Sequence, residues 1–137
     1  MRLAEQLGAS PGDTLDRFRR VVRSTTKPLL PTLAMLGEMI VHGEDIRRPL
    51  GIRRDYPIET LTLVAKYYVG SDLVVLAKGR IGGLQLVASD GPFATGSGLL
   101  VSGTTLVLTM AMTGRTAYSD ELEGDGVATL SERCKAA

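Results

Sequence analysis

Glu38-Met39-Ile40-Val41-His42-Gly43-Glu44-Asp45-Ile46-Arg47-Arg48-Pro49-Leu50-Gly51 is the stretch on which the reading of this chain turns. It holds the only histidine among 137 residues. Upstream of it, Leu33, Leu36, Ile40 and Val41 recur at helical spacing, so a helix is expected from Pro31 or Thr32 to near Arg48. Pro49 and Gly51 stop that helix. At about 100° per residue, Glu38, His42 and Asp45 fall within roughly 60° of one helical face. A carboxylate, an imidazole and a second carboxylate therefore share one surface. Gly37 costs about 1 kcal/mol against Ala in a helix interior. Its place one residue before Glu38 points to close packing by a neighbouring helix.

Working towards the N-terminus, Ser24-Thr25-Thr26-Lys27-Pro28 reads as a linker. Before it lies an amphipathic helix over residues 11–24. Ser10 is its N-cap, Pro11 suits the first turn, and Asp13 complements the positive end of the helix dipole. Leu15, Phe18, Val21 and Val22 form its apolar face. Asp16, Arg17, Arg19, Arg20 and Arg23 form the other, which reads as a solvated surface. Residues 1–8 begin an amphipathic segment without a capping residue, as if a region upstream were missing.

Working towards the C-terminus, Arg53-Arg54-Asp55-Tyr56-Pro57 is a polar break. Pro57 opens a third helix with Leu61, Val64, Ala65 and Tyr68 turned inward. The run Leu73-Val74-Val75-Leu76-Ala77 is too short for periodicity to assign. From Gly79 the pattern changes. Gly83 to Ala88 is strand-like and ends in the turn Ser89-Asp90-Gly91-Pro92. Two short strands around Gly96-Ser97-Gly98 complete an expected antiparallel meander. Thr104 or Thr105 caps a helix closed by Gly114, and a last helix covers residues 127–135. A wholly helical start and a mixed remainder predict an α+β chain divided near residues 51–57, with units 1–52 and 53–137.

A hydrophobic content of 44% places the chain among folded proteins, with a core of aliphatic side chains because aromatics are only 4%. Sixteen basic and fifteen acidic residues leave a net charge of +1, which gives no electrostatic reason to expect nucleic acid or an anionic membrane as partner. The lone Cys134 cannot form an internal disulfide and no secretory signal opens the chain, so a cytoplasmic setting is expected. The longest apolar runs fall far short of the ~20 residues that span a bilayer.

Glu38 and His42 at i, i+4 are either an ordinary surface pair or two ligands of one divalent ion, with Zn²⁺ suited to carboxylate and imidazole donors. Asp45 either orients the imidazole or pairs with Arg47 or Arg48. Gly96-Ser97-Gly98 lacks the Gly-Lys-Ser/Thr of a phosphate loop and serves as a hairpin turn. Cys134 reads as an incidental thiol. The acidic run Asp120, Glu121, Glu123 and Asp125 lacks a calcium-loop pattern and reads as a solvated loop.

The combination Glu38-x-x-x-His42-Gly-x-Asp45-Ile-x-Arg-x-Leu-Gly51 resembles the fourth-helix signature of the mycothiol-dependent maleylpyruvate isomerase family, of the DinB-like superfamily of actinobacteria. Gly83-Leu84-x-Leu86-x-Ala88-x-Asp90, Gly96-x-Gly98, Val101-x-Gly103, Gly114-Arg115 and Asp120-Glu121-Leu122-x-Gly124-Asp125-Gly126-Val127 resemble its C-terminal domain. The resemblance implies the C-terminal half of a DinB-like four-helix bundle, followed by a small sterol-carrier-like α+β domain. It implies Glu38 and His42 as metal ligands, Asp45 behind them, zinc as the usual ion and mycothiol as thiol cofactor. It makes Arg115 a candidate for holding substrate carboxylates. The family's first ligand, a histidine on the second bundle helix, has no counterpart here. The expected function is a metal-dependent isomerase or transferase in truncated form. The alternative is a non-catalytic small-molecule or lipid-binding module of sterol-carrier type. Half a bundle leaves apolar surface open, which a homo-oligomer would cover.

Overall fold

A computed structural model of the chain describes residues 7–25, 29–72 and 77–136. Most of the apolar run at 73–77, part of the expected linker, and residues 1–6 lie outside them. The chain divides into two compact units, residues 1–30 and 31–137. The division expected near residues 51–57 therefore falls inside the second unit.

The first unit holds helix α1, Pro11–Val22. Ser10 caps it as its sequence predicts: Oγ accepts the Asp13 N–H at 3.1 Å. Arg17 reaches back to the Leu7 carbonyl at 2.9 Å, tying the preceding loop to the helix. No residue of α1 is buried.

The second unit is mixed α+β, in the order α2 (Thr32–Arg47), α3 (Ile58–Gly70), α4 (Ala77–Ile81), β1 (Leu84–Ala88), β2 (Ala94–Gly96), β3 (Leu99–Gly103), α5 (Thr105–Met112), a 3-10 turn (Thr116–Glu121) and α6 (Val127–Lys135). Helix α2 packs on α3, and α3 on α5. Leu61, Val64, Ala65 and Tyr68 of α3 are buried, as their spacing predicts. The close packing expected at Gly37 is made by Tyr68. A Cβ on Gly37 would come within 2.7 Å of the Tyr68 Cζ.

Helix α5 is the centre of the unit. It is apolar almost all round and, apart from Leu106, buried from Thr105 to Met112. Thr104 caps it by accepting the Val107 N–H, and the Asp90 carboxylate accepts both the N–H and the hydroxyl of Thr105 at 2.8 and 2.7 Å. Gly114 ends it at φ +92.

The sheet differs from the expected meander. Its order is β2-β1-β3, with β2 antiparallel and β3 parallel to β1. Gly96-Ser97-Gly98 is not a hairpin turn. It carries the chain across the start of β1, from one edge of the sheet to the other. Gly98, at φ +127, lies so close to β1 that a Cβ would meet the Gly83 carbonyl carbon at 2.8 Å. Leu84 and Leu86 turn inward from β1 while Gln85 faces out. The acidic loop adds an isolated antiparallel bridge, Ser102 to Glu123.

Candidate functional site

Glu38, His42 and Asp45 lie on the half of α2 that does not face the core. The buried face is Ala34, Gly37, Ile40, Val41 and Glu44, and the helical period turns the three polar residues to its flank. Their side chains form a line. Glu38 Oε2 is 3.1 Å from His42 Nε2, and His42 Nδ1 is 3.4 Å from Asp45 Oδ2. The imidazole, 62% exposed, thus has a carboxylate at each ring nitrogen.

Tertiary structure extends the line. Arg115, just past the glycine that ends α5, donates from Nε to Asp45 Oδ1 at 3.2 Å and from Nη2 to Oδ2 at 2.8 Å. Its Nη1 donates to the Thr113 carbonyl at 3.1 Å. Asp45 therefore pairs with Arg115 rather than Arg47 or Arg48, while also facing His42. Arg115 faces Asp45 rather than open solvent. The Arg115 hydrogen bonds hold the Asp45 carboxyl below the usual aspartate range, against the opposing effect of burial.

Against Gly37 of α2 lies Tyr68, completely buried. Burial, and next the negative charge of Glu38, push its phenol up to about 12, with Arg115 pulling the other way. Its hydroxyl has no hydrogen-bond partner among the described residues. Sequence spacing shows Tyr68 as an inward residue of α3. It does not show that the ring ends against Gly37, because that depends on how two helices cross.

The neighbouring charges are structural. Glu44, buried on α2, accepts from the Tyr56 hydroxyl at 2.7 Å and from Arg47 at 3.2 Å. Arg48 stacks 4.0 Å above the Tyr118 ring, donates to the Ala117 carbonyl at 2.8 Å and pairs with Glu121 at 2.5 Å. These contacts fasten the end of α2 to the 3-10 turn. Part of the acidic loop is thereby tied down rather than freely solvated. Cys134 is half-buried with Sγ 3.4 Å from the Ala111 carbonyl, and burial pushes its thiol up, away from thiolate character.

Glu38 and His42 offer a divalent ion one oxygen and one nitrogen donor on a common face. Asp45, on the far side of the ring, suits the role of fixing the Nδ1–H tautomer so that Nε2 is free to coordinate. Glu38 and His42 are two donors where a catalytic zinc site ordinarily has three protein ligands. Among the described residues, no group of three or more His, Cys, Asp or Glu side chains is disposed to hold a metal ion. No helix among those residues is long and apolar enough to cross a membrane.

Compared with family models, curated proteins and solved structures, the chain matches none.

Proposed function

We propose that the outer face of α2 is a divalent-metal site, zinc being the ion its donors suit, in a thiol-dependent isomerase or group transferase. One observation carries this reading. The imidazole presents Nε2 towards Glu38 while Nδ1 is turned to a carboxylate that is itself clamped by a distant arginine. An incidental surface pair needs no such backing.

In this reading Glu38 Oε2 and His42 Nε2 hold the ion, Asp45 accepts the Nδ1–H, and Arg115 fixes Asp45. Two protein donors leave positions open for a thiol and a substrate, and the resemblance to the maleylpyruvate isomerase family makes mycothiol the thiol to test. A divalent ion bound there supplies a lowered thiol pKa and hence thiolate at neutral pH. The resemblance also makes Arg115 a candidate for holding a substrate carboxylate, beside its contacts to Asp45.

Thermal unfolding with micromolar Zn²⁺ tests the site. Ligand that binds only the native state raises stability by about 2.7 kcal/mol at 100 times Kd. The wild-type melting temperature is expected to rise, and His42→Ala or Glu38→Gln to abolish the rise without lowering the metal-free value by more than a degree or two, about 0.5 kcal/mol for such exposed sites. A melting temperature indifferent to metal sinks the proposal. With Co²⁺ as a spectroscopic substitute, adding the thiol is expected to produce a sulfur-to-metal charge-transfer band.

A further inference from the structure

The turn that ends α5 and delivers Arg115 is held from a second side, by Arg80 of α4. The backbone of that turn closes on itself first. Gly114 N–H donates to the Ala111 carbonyl at 2.9 Å, Arg115 N–H donates to the Met110 carbonyl at 3.2 Å, and Gly114 takes φ +92. The next two carbonyls of the helix end are met by arginine side chains. Arg115 Nη1 donates to the Thr113 carbonyl at 3.1 Å, and Arg80 Nη1 donates to the Met112 carbonyl at 3.3 Å. Both cations complement the negative end of the helix dipole. Arg80 also packs on the glycine itself: a Cβ on Gly114 would come within 3.1 Å of Arg80 Nη2. The backbone of Arg80 is fastened in turn. Arg133 of α6 donates from Nη1 to the Arg80 carbonyl at 2.8 Å and to the Gly82 carbonyl at 2.7 Å. Three arginines thus run in series, from α6 to α4, from α4 to the end of α5, and from there to Asp45 on α2, all within residues 31–137.

We infer that Arg80 is a positioning residue for the α2 site: it fixes the turn from which Arg115 reaches Asp45, and through Asp45 the orientation of the His42 ring. The inference rests on the metal-site reading above. Its basis is the geometry that the clamp demands. Arg115 holds two N–H groups against the two carboxylate oxygens of Asp45, at 3.2 and 2.8 Å, and a fork of this kind tolerates little displacement of its own backbone. Arg115 directly follows a glycine at positive φ, the residue type with the most freedom to reorient the chain. A group that packs on that glycine and bonds the carbonyl two residues before it limits the freedom, and Arg80 does both. A cap that served the fold alone would act without reference to Asp45. A positioning cap loses its effect on the site once Asp45 no longer receives Arg115.

Two measurements on the full-length protein test this. The first needs no metal: hydrogen exchange of the Arg115 Nε–H, followed by heteronuclear NMR and assigned by its loss in Arg115→Lys. Arg80→Gln is expected to speed that exchange roughly tenfold. Arg80→Lys, which keeps a donor for the Met112 carbonyl, is expected to speed it less. The second measurement is zinc affinity by titration. Arg80→Gln is expected to weaken it about threefold to tenfold, less than removal of a direct partner of a metal ligand. In an Asp45→Asn background the same substitution is expected to leave zinc affinity unchanged, because the series through which it acts is already broken. Unchanged Arg115 exchange in both Arg80 variants overturns the inference. So does an equal loss of zinc affinity with and without the Asp45 change, which marks a general effect on the fold. If the wild type takes up no zinc, the metal-site reading falls, and Arg115 exchange alone decides whether Arg80 holds the clamp. Should Arg80→Gln fail to fold, Arg80→Lys carries both measurements.

Discussion

At the residue scale, Gly37 shows how a small position in α2 serves the site above it. Its missing Cβ makes room for the Tyr68 ring, and the charge of the neighbouring Glu38 helps to raise that phenol. Gly37→Ala gains about 1 kcal/mol of helix propensity but forces the ring to shift, at about 1–3 kcal/mol. A net loss of up to about 2 kcal/mol in urea unfolding is expected. Removing the hydroxyl by Tyr68→Phe relieves the nearest clash and also deletes a buried hydroxyl lacking a partner. The double variant is therefore expected to be more stable than Gly37→Ala alone. If the two changes merely add, the packing account of Gly37 fails. The alignment of Glu38, His42 and Asp45 was legible from spacing because helical geometry is local. The choice of Arg115 as the partner of Asp45 was not, since the two residues meet only when α5 ends beside α2.

At the element scale, the sheet shows where local signals stop. Turn residues around Gly96-Ser97-Gly98 mark a reversal, and a hairpin is the commonest reversal. The observed connection instead crosses the start of β1 and pairs β3 parallel to it. Two features decide this: glycines that allow backbone to pass backbone, and inward pairing of Leu86 with Val101 in register. Both residues are fully buried, so slipping the register by one would turn them outward. Gly98→Ala is expected to cost about 2 kcal/mol or more, from positive φ and from collision with the Gly83 carbonyl. Gly70→Ala, at the end of α3 with open space around it, is the control. It is expected to be neutral or to stabilise by up to about 1 kcal/mol. Equal costs at the two positions in chemical denaturation would contradict the crossing.

At the scale of the whole molecule, residues 31–137 draw three helices, a sheet and a 3-10 turn around α5, and the response to alkali reports on that core. Burial, and then its hydrogen bond to Glu44, push the Tyr56 phenol up to about 12, and burial above all does the same for Tyr68. A phenol whose folded value is raised favours the native state below the unfolded value, near 10. That contribution falls away as pH rises from about 10 through about 12, because the unfolded chain releases its proton first. Stability is therefore expected to decline over this window, measured by denaturant unfolding at stepped pH. Ultraviolet titration of phenolate is expected to show Tyr56, Tyr68 and Tyr118 ionising late, burial raising all three. Glu44→Gln is expected to move Tyr56 back towards 10, and an unchanged titration would rule out the Glu44 hydrogen bond as a cause. By itself the sequence determined the α+β class, helices over about residues 11–24, from Pro31 or Thr32 to near Arg48, from Pro57, from Thr104 or Thr105 to Gly114 and over residues 127–135, the caps at Ser10 and Thr104, and the shared face of Glu38, His42 and Asp45. Each of these follows from periodicity, proline, glycine and capping side chains acting within a few residues. Only the tertiary structure decided the parallel pairing of β3, the division of the chain at residue 30 and the clamp of Arg115 on Asp45. Those depend on which surfaces meet across long stretches of chain, and burial energy is shared among too many pairs for local pattern to single out the ones that form.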